Sequence, residues 1–292
     1  MKCLCNFEML VKNVALVLLT LCNCCALHHA HFNASILAEL EKLGELYYDE
    51  QKDERFYKVS DDFNRIKPNF PCIYGVIPLG SEAKESILDG HKFACGLHAI
   101  IGPPIIYSFG SNRQQDFEEA ILRLRPDAKI FVYELIPDHL PLLSKRDDRI
   151  SYNAVGLGGY DVKGADEEAS DGFKMRPMRL LMKENNHTYV DILKMDIEGV
   201  EFDWLKNEGA EVIPRVGQFL VELHLHFGYV QEKYPSDDAF TFVTDCEKYG
   251  LRVFHQEVNK LQTIRFTELG LIHHNWLKWN TMKSKFVPLR TQ

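Results

Sequence analysis

Three acidic residues follow one apolar segment so closely that they indicate a binding site rather than an ordinary strand end. The string ILKMDIEGVEF runs from Ile192 to Phe202 and contains Asp196, Glu198 and Glu201, with Gly199 between them. Gly199 permits a tight turn into the helix that follows. Negative charge is favourable in the first turn of a helix, which accounts in part for Glu198 and Glu201. Asp196 precedes that turn, so the helix-start explanation suits it less well, and we predict that it faces a bound ligand.

A second polar pair ends the next apolar segment, VGQFLVELH, where Glu222 is followed two positions later by His224. An imidazole titrates near physiological pH, which makes His224 a candidate general base for a hydroxyl acceptor. A structural histidine held by hydrogen bonds is an equally good interpretation.

Two earlier segments end in residues suited to a nucleotide-like ligand. YSFGSN contains Gly110, whose missing Cβ lets the backbone approach a ligand, and the following helix start offers N–H groups to an anion. Glu134 ends FVYE, 24 residues after Gly110, and a carboxylate there can accept hydrogen bonds from a ribose diol. Asn112 and Gln115 depart from the G-x-G-x-x-G pattern, which argues against NAD.

The elements around these residues alternate in a way that brings them to one edge of a sheet. Strands are predicted in PPIIYSF, AKIFVYE, RISYNAVGLGG, VDILKMD and VGQFLVELH, and helices in DFEEAILRLRP, PMRLLMKENN, EFDWLKNEG and SDDAFTFVTDCEKYG. This alternation predicts an α/β fold with a doubly wound, mostly parallel, Rossmann-like sheet. LRVFHQEVN and ELGLIHHNW have no helix between them and are predicted to add an antiparallel C-terminal hairpin, which makes seven strands. Ligands of such sheets bind beyond the carboxyl ends of the strands.

Several boundaries are predicted from turn and capping residues. The helix after Asp196 should end at Gly209, and the last helix should start at Ser236 and stop at Gly250. An acidic, glycine-containing stretch at 160–175 is predicted to be a loop, and residues 58–98, with three prolines, to be an irregular covering segment.

Composition and charge limit the classes of function. The chain has 292 residues, of which 46% are hydrophobic and 26% charged, as in soluble globular proteins. A formal net charge of −8 argues against nucleic acid as a partner. We predict three parts: a signal peptide or signal anchor at 1–26, an accessory helix and covering segment at 27–98, and the main domain at 99–292.

The N-terminal segment is typical of a secretory signal. Lys2 and Lys12 precede an apolar run at 14–22, and small residues at 24–26 follow it. The prediction is a secreted or lumenal protein. An uncleaved anchor over 9–27 is the alternative, and it is the only arrangement in which we expect a membrane partner.

Cysteines and glycosylation sequons agree with the secretory route. Five of the eight cysteines lie in the N-terminal segment, and the other three are Cys72, Cys95 and Cys246. We predict a Cys72–Cys95 disulfide and a buried free thiol at Cys246. No Cys/His spacing is typical of zinc, so no metal site is predicted. The sequons predict glycans at Asn33 and Asn186.

The motifs YSFGSN, FVYELIP, VDILKMDIEGVEF and GQFLVELHLH, in this order, resemble the FkbM-related methyltransferases, and more narrowly the secreted or membrane-anchored methyltransferase-like proteins of animals. The similarity covers roughly residues 70–275. It implies a class I fold that binds S-adenosylmethionine, with Glu134 on the ribose, Asn153 to Val155 at the adenine edge and Asp196 in the methyl-transfer pocket. The loop on the methionine side of the cofactor would consist of Ser108, Phe109, Gly110, Ser111 and Asn112.

Three functions from different classes follow from these patterns. The first is an S-adenosylmethionine-dependent methyltransferase that acts on oxygen of an unknown acceptor. The second is a metal-dependent glycosyltransferase in which Asp196 and Glu198 hold the cation on a nucleotide diphosphate. The third is a non-catalytic methyltransferase-like binding protein. It is suggested by Ser108, where bacterial members usually have an acid, and by Gln114, where they have a second glycine.

Overall fold

The computed structural model describes residues 66–80, 91–142, 145–158, 167–168, 174–224, 237–258, 266–276 and 280. The predicted signal or anchor segment, the accessory helix, the sequon at Asn33 and the predicted helix cap Ser236 lie outside these residues. No helix in the described ranges is long and apolar enough to cross a membrane.

The centre of the molecule is a seven-stranded sheet, which confirms the predicted fold class. Its spatial order is β11-β12-β10-β9-β3-β4-β5. Neighbours from β10 to β5 are parallel, whereas β12 runs antiparallel to both β10 and β11. The strands in chain order are β1 (Val76–Leu79), β2 (Lys92–Cys95), β3 (Ile105–Phe109), β4 (Lys129–Tyr133), β5 (Ile150–Asn153), β6 (Gly156–Leu157), β7 (Glu167–Glu168), β8 (Lys174–Arg176), β9 (Val190–Met195), β10 (Val216–His224), β11 (Leu251–Val258) and β12 (Phe266–His273).

The predicted antiparallel pair at the sheet edge is confirmed, with one addition. β12 lies inside β11 and pairs with β10, so the last strand in sequence is the second in space. All residues of β9 and β10 are buried. Near-continuous burial is expected for central strands that are covered on both faces.

Four α-helices are described: α1 (Asp116–Leu124), α2 (Met178–Glu184), α3 (Glu201–Val212) and α4 (Asp237–Lys248). Gly250 has φ of 104° and follows α4 as predicted. The predicted end of α3 at Gly209 is wrong, because the helix continues to Val212. A Cβ at Gly209 would lie 2.6 Å from Leu205 and 3.3 Å from Tyr249, so this glycine serves close packing and not helix termination.

The stretch 160–175, which was predicted to be a loop, contains short strands. Part of 160–175 forms β7 and the start of β8, and these strands join β6 in a small three-stranded sheet. The predicted strand RISYNAVGLGG is therefore divided between β5 in the main sheet and β6 in the small one. Turn-rich composition hides strands of two or three residues, because they are held by pairing and not by local propensity.

The covering segment before β3 contains an antiparallel hairpin of β1 and β2 instead of being wholly irregular. The predicted disulfide is confirmed: Cys72 and Cys95 are joined, with 5.7 Å between their Cα atoms. The Gln218 side chain on β10 donates a hydrogen bond to the Cys95 carbonyl and accepts one from its amide, at 2.6 and 2.7 Å. The hairpin is thus fixed both to its own segment and to the main sheet.

Cys246 and Asn186 are placed as their predicted roles require. The thiol of Cys246 is buried and unbonded, as predicted. Asn186 is exposed just before the amino end of β9, away from the carboxyl ends of the strands. A glycan at Asn186 stays a prediction.

Candidate active site

A cavity of about 530 Å³ lies at the carboxyl ends of β3, β4, β9 and β10. This volume is within the usual range for small-molecule sites. The cavity brings together most of the residues predicted from the sequence and adds several that were not. Its lining includes Phe109, Gly110, Ser111, Asn112, Gln114, Glu118, Glu134, Gly156, Leu157, Lys194, Asp196, Glu198, Glu222 and His224.

Gly110 forms the junction between β3 and β9, where the strand order of the sheet reverses. Its φ is 79°, and a Cβ at this position would lie 1.8 Å from the carbonyl oxygen of Asp196. The Asp196 amide donates a hydrogen bond to the Phe109 carbonyl at 3.1 Å, and Lys194 donates one to the Gly110 carbonyl. Only glycine fits here, and this contact fixes the cofactor-loop candidate against the acidic strand end.

Glu134 lies directly after β4 and organises the loop that follows β3. One carboxylate oxygen accepts hydrogen bonds from the amides of Ser111 and Asn112, at 2.8 and 3.1 Å. The other accepts from the Ile136 amide at 3.2 Å. These three amides are therefore occupied by Glu134 and are not open to an anion. The oxygen bonded to the Ile136 amide retains acceptor capacity for a ligand hydroxyl.

The predicted cofactor contacts of Ser108, Phe109 and Asn153 are less evident from their positions relative to the cavity. Ser108 is buried and does not line the cavity. Phe109 lines it and stacks on Tyr133 with ring centroids 4.8 Å apart. Asn153 donates from its side chain to the carbonyls of Val132 and Ser151, and the nearby lining is supplied by β6 instead. Their predicted cofactor contacts stay predictions.

Asp196 is held by two lysines. Its Oδ2 lies 3.2 Å from Lys92 and 3.8 Å from Lys194. Burial raises the pKa of Asp196, but Lys92, Lys194 and His224 together hold it well below its usual range. The side chain is 21% exposed, so this carboxylate is anionic and accessible to a ligand.

Lys92 was missed by the sequence analysis and is the centre of an ion cluster. It comes from β2 in the covering hairpin and is 1% exposed. Its ammonium lies 2.6 Å from Glu268 and 3.6 Å from Glu222, which face each other directly across β12 and β10. Like charges at such a position repel each other, and Lys92 compensates them. The signal that could have found it is a lone lysine in an otherwise apolar strand, KFAC.

His224 is enclosed by carboxylates. Its Nδ1 is 3.0 Å from Glu201, and its Nε2 is 3.8 Å from Asp196 and 3.7 Å from Glu198. Burial lowers its pKa, but Glu201, Asp196 and Glu222 outweigh this effect and raise the pKa to about 10. His224 is therefore protonated at neutral pH. It can act as the predicted general base only when the neighbouring negative charge has been compensated.

Glu198 and Glu201 were both predicted to lie in the first helical turn, but only Glu201 does. Glu201 begins α3 but is fully buried and accepts a hydrogen bond from the Ile197 amide, besides its contact with His224. Favourable helix-start charge alone does not describe it. Glu198 lies before the helix with φ of 57° and is 72% exposed. Gly199 makes the turn as predicted, with φ of 97°.

Comparison with known proteins places this site in a class. A family model described as a methyltransferase domain, Methyltransf_22, matches residues 45–273. The chain is also 27% identical over 111 residues to human probable methyltransferase-like protein 24. That match spans 36% of this chain and 30% of the relative.

Solved structures show only distant likeness. The fibrillarin pre-rRNA processing protein of Methanococcus jannaschii has 12% identity and a TM-score of 0.41, over 68% of this chain and 89% of its own. A Burkholderia thailandensis 1,6-didemethyltoxoflavin-N1-methyltransferase, solved with S-adenosylhomocysteine, has 11% identity and a TM-score of 0.35, over 61% of this chain and 74% of its own. Both likenesses are too distant to bear on function.

The chain belongs to the methyltransferase-domain family, because the family model covers most of its length. The predicted methyltransferase class is confirmed at this level, and S-adenosylmethionine is the methyl donor of that class. The cavity fits such a donor in volume, and its carboxylate-rich lining suits a cationic sulfonium. The narrower FkbM relationship stays a prediction.

Proposed function

We propose that this protein transfers a methyl group from S-adenosylmethionine to a hydroxyl oxygen of an acceptor in the secretory pathway. The observation that carries the proposal is the cavity itself, where Gly110, Glu134, Asp196 and His224 meet at the carboxyl ends of four strands. The family assignment supports methyl transfer. The oxygen acceptor and the compartment are inferences from the side chains and from the N-terminal pattern.

The residues divide into holding and reacting groups. Glu134 is suited to the ribose, because it directly follows β4 and one of its oxygens still has acceptor capacity after the carboxylate has bound three backbone amides. The loop 109–112 lies against the same cavity and would hold the methionine portion. Bound S-adenosylmethionine supplies an electrophilic methyl group. The protein aligns the acceptor oxygen with that group and removes the hydroxyl proton.

Asp196 is placed to act on the acceptor side. It is anionic, one-fifth exposed, and fixed by Lys92 and Lys194. A fixed carboxylate can orient a hydroxyl group at little cost in reorganisation. The Cys72–Cys95 disulfide is compatible with an oxidising compartment.

Isothermal calorimetry on the purified chain tests the function. We expect S-adenosylmethionine to bind, whereas nucleotide sugars titrated into protein already saturated with Mn²⁺ should not. Binding only of a nucleotide sugar would favour the glycosyltransferase, and binding of neither would contradict both enzymes. Asp196→Asn should keep most of the S-adenosylmethionine affinity and reduce formation of S-adenosylhomocysteine from hydroxyl compounds. Equal turnover in parent and variant would contradict the role of Asp196.

The compartment is tested separately, by expression in a glycosylating host followed by glycosidase digestion. We expect a mobility shift that Asn186→Gln reduces. A cytosolic product without a shift would contradict the secretory assignment.

A further inference from the structure

Three side chains with metal-binding atoms converge beyond β9 and β10. Asp196, Glu198 and His224 each offer one oxygen or nitrogen, and these three atoms lie within 4.8 Å of one another. The Nε2 of His224 is 3.8 Å from Asp196 Oδ1 and 3.7 Å from Glu198 Oε2, beyond hydrogen-bond range. Ligand atoms about 2.1 Å from a shared cation are about 3–3.5 Å apart, so a small inward movement would seat an ion.

The two oxygens of Asp196 have separate surroundings. Oδ2 faces Lys92 and Lys194, while Oδ1 faces His224. The lysines therefore fix the carboxylate by one oxygen and leave the other directed towards His224 and Glu198. A ligand held in this way needs no rearrangement of the lysine cluster to bind a cation.

Glu201 supplies an independent indication, although it is not one of the three ligands. It is fully buried, and its Oε2 has no hydrogen-bond partner in the described part of the chain. Its Oε1 contacts His224 Nδ1 at 3.0 Å, which turns Nε2 towards Asp196 and Glu198. A carboxylate behind a histidine in this manner is the usual support of a metal-binding imidazole.

The charge around the cluster also favours a cation. In the part of the chain that the structure describes, five carboxyl groups lie at or next to it, against two ammonium groups and the protonated imidazole of His224. Uncompensated negative charge in a largely buried site is costly. The carboxylates are Asp196, Glu198, Glu201, Glu222 and Glu268, and the ammonium groups are Lys92 and Lys194.

We propose that Asp196, Glu198 and His224 bind a divalent transition-metal cation at the mouth of the cavity. The imidazole nitrogen disfavours Mg²⁺ and Ca²⁺, which prefer oxygen ligands. The three ligands include no thiolate, which disfavours Cu⁺. Two carboxylates with one imidazole suit Mn²⁺ or Zn²⁺, and the incoming cation displaces the Nε2 proton of His224 to solvent.

The role of this cation deepens the proposed function and rests on it. A cation in the substrate cavity would bind the acceptor hydroxyl oxygen and lower its pKa. The hydroxyl proton leaves to solvent at the side of exposed Glu198, the oxygen forms the new bond to the methyl carbon, and the donor sulfur keeps the electron pair of the broken bond. The acceptor class is accordingly a hydroxyl compound.

Metal binding is measured on the full chain, after treatment with a chelator and in the absence of S-adenosylmethionine. Calorimetry with Mn²⁺ alone and with Zn²⁺ alone should show one ion per chain for at least one metal. Glu198→Gln should weaken binding at least tenfold and leave the fold intact, because Glu198 is mostly exposed. Glu201→Gln should weaken it about tenfold while removing no ligand.

Asp138→Asn is the matched control, because Asp138 is an exposed acid that does not line the cavity. Its metal affinity should equal that of the parent. Pulsed electron paramagnetic resonance with Mn²⁺ should show coupling to a nitrogen nucleus, and His224→Gln should lose it. Absence of binding by the parent, or binding that Glu198→Gln and His224→Gln leave unchanged, would overturn the site.

Calorimetry with S-adenosylmethionine on the same samples separates the two proposals. A parent that binds S-adenosylmethionine but neither metal overturns the cation site alone. A parent that binds a metal but not S-adenosylmethionine supports the site and overturns the proposed methyl transfer.

Discussion

At the scale of single residues, Glu134 has a structural role in addition to its proposed contact with the ribose. Its carboxylate holds the amides of Ser111, Asn112 and Ile136, so it also shapes the loop that would surround the cofactor. A mutation there removes a ligand contact and the support of the loop together.

We expect Glu134→Ala to weaken S-adenosylmethionine binding by about 1.5–3 kcal/mol, the range for hydrogen bonds to a charged group. Calorimetry measures the change. Asp138→Ala, an exposed acid four positions later, should have no effect. Unchanged affinity in Glu134→Ala would show that the cavity has been assigned to the wrong ligand.

Gly110 offers a second test, because it and Gly75 share a left-handed backbone but differ in their surroundings. Gly75 has φ of 84° and no atom within 4 Å of the position that a Cβ would occupy, whereas a Cβ at Gly110 would meet the Asp196 carbonyl at 1.8 Å. Gly75→Ala should cost about 1–2 kcal/mol, the cost of the left-handed conformation. Gly110→Ala should cost more than about 4 kcal/mol, because it combines overpacking with backbone strain.

Urea unfolding of both glycine variants gives these free energies directly. Equal losses would mean that β3 and β9 can separate at this junction without cost, contrary to the close contact described.

At the scale of elements, α3 is attached to β10 through its first residue. Glu201→Gln removes the charge that faces His224, and we expect a loss of about 1.5–3 kcal/mol of stability. Glu211→Gln in the same helix changes only an exposed pair with Arg215 and should stay within about 0.5 kcal/mol of the parent. Thermal melts compare the two variants. Equal melting temperatures would mean that the contact of Glu201 with His224 does not stabilise the protein beyond the general effect of a negative charge at a helix start.

Much of this element arrangement follows from sequence. Alternating strands and helices predict the parallel sheet, and a polar residue at the end of an apolar run, such as Glu134 or Asp196, predicts one side of the cavity. The pairing of Lys92 with Glu268 does not follow, because 176 positions separate them and no local pattern links them. The insertion of β12 beside β10 is likewise a matter of tertiary packing, and propensity alone cannot distinguish it from a terminal hairpin.

At the scale of the whole molecule, the covering hairpin depends on its disulfide. The cysteines are 23 positions apart, so removing the bond should cost about 3 kcal/mol through loop entropy. At about 2–4 °C per kcal/mol, the double variant with Cys72→Ser and Cys95→Ser should melt about 6–12 °C below the oxidised parent. Differential scanning calorimetry tests this, and a reduced parent should match the variant. An unchanged melting temperature would mean that Gln218 and Lys92 hold the hairpin without it.

The contribution of His273 to the stability of the molecule should be lost in mild acid, whereas buried Glu268, whose pKa is raised to about 8, acts in the opposite sense. Burial, with His274 and Arg252, lowers its pKa to about 3, and its Nδ1 accepts a hydrogen bond from the Asn275 amide. The unfolded chain, with a pKa near 6.5, binds this proton first. The contribution of His273 is therefore complete above about pH 6.5 and declines below it by at most about 1.4 kcal/mol per pH unit.

Denaturant unfolding at a series of pH values from 7 to 4 measures this decline. We expect His273→Gln, which cannot be protonated, to flatten it. Parallel curves for parent and variant would assign the acid sensitivity to other groups.

The place of β12 in the sheet has a consequence for biosynthesis. A ribosome completes β10 and β11 before β12, at about 5–20 residues per second, yet β12 must lie between them. Until Phe266–His273 has been made, β10 presents an unpaired edge of the kind that recruits other chains. During the same interval Lys92, which is synthesised much earlier, lacks its ion pair with Glu268. A nascent chain therefore holds every residue of the cavity before it holds the strand that pairs with β10, and in this interval the open edge of β10 is exposed to association with other chains.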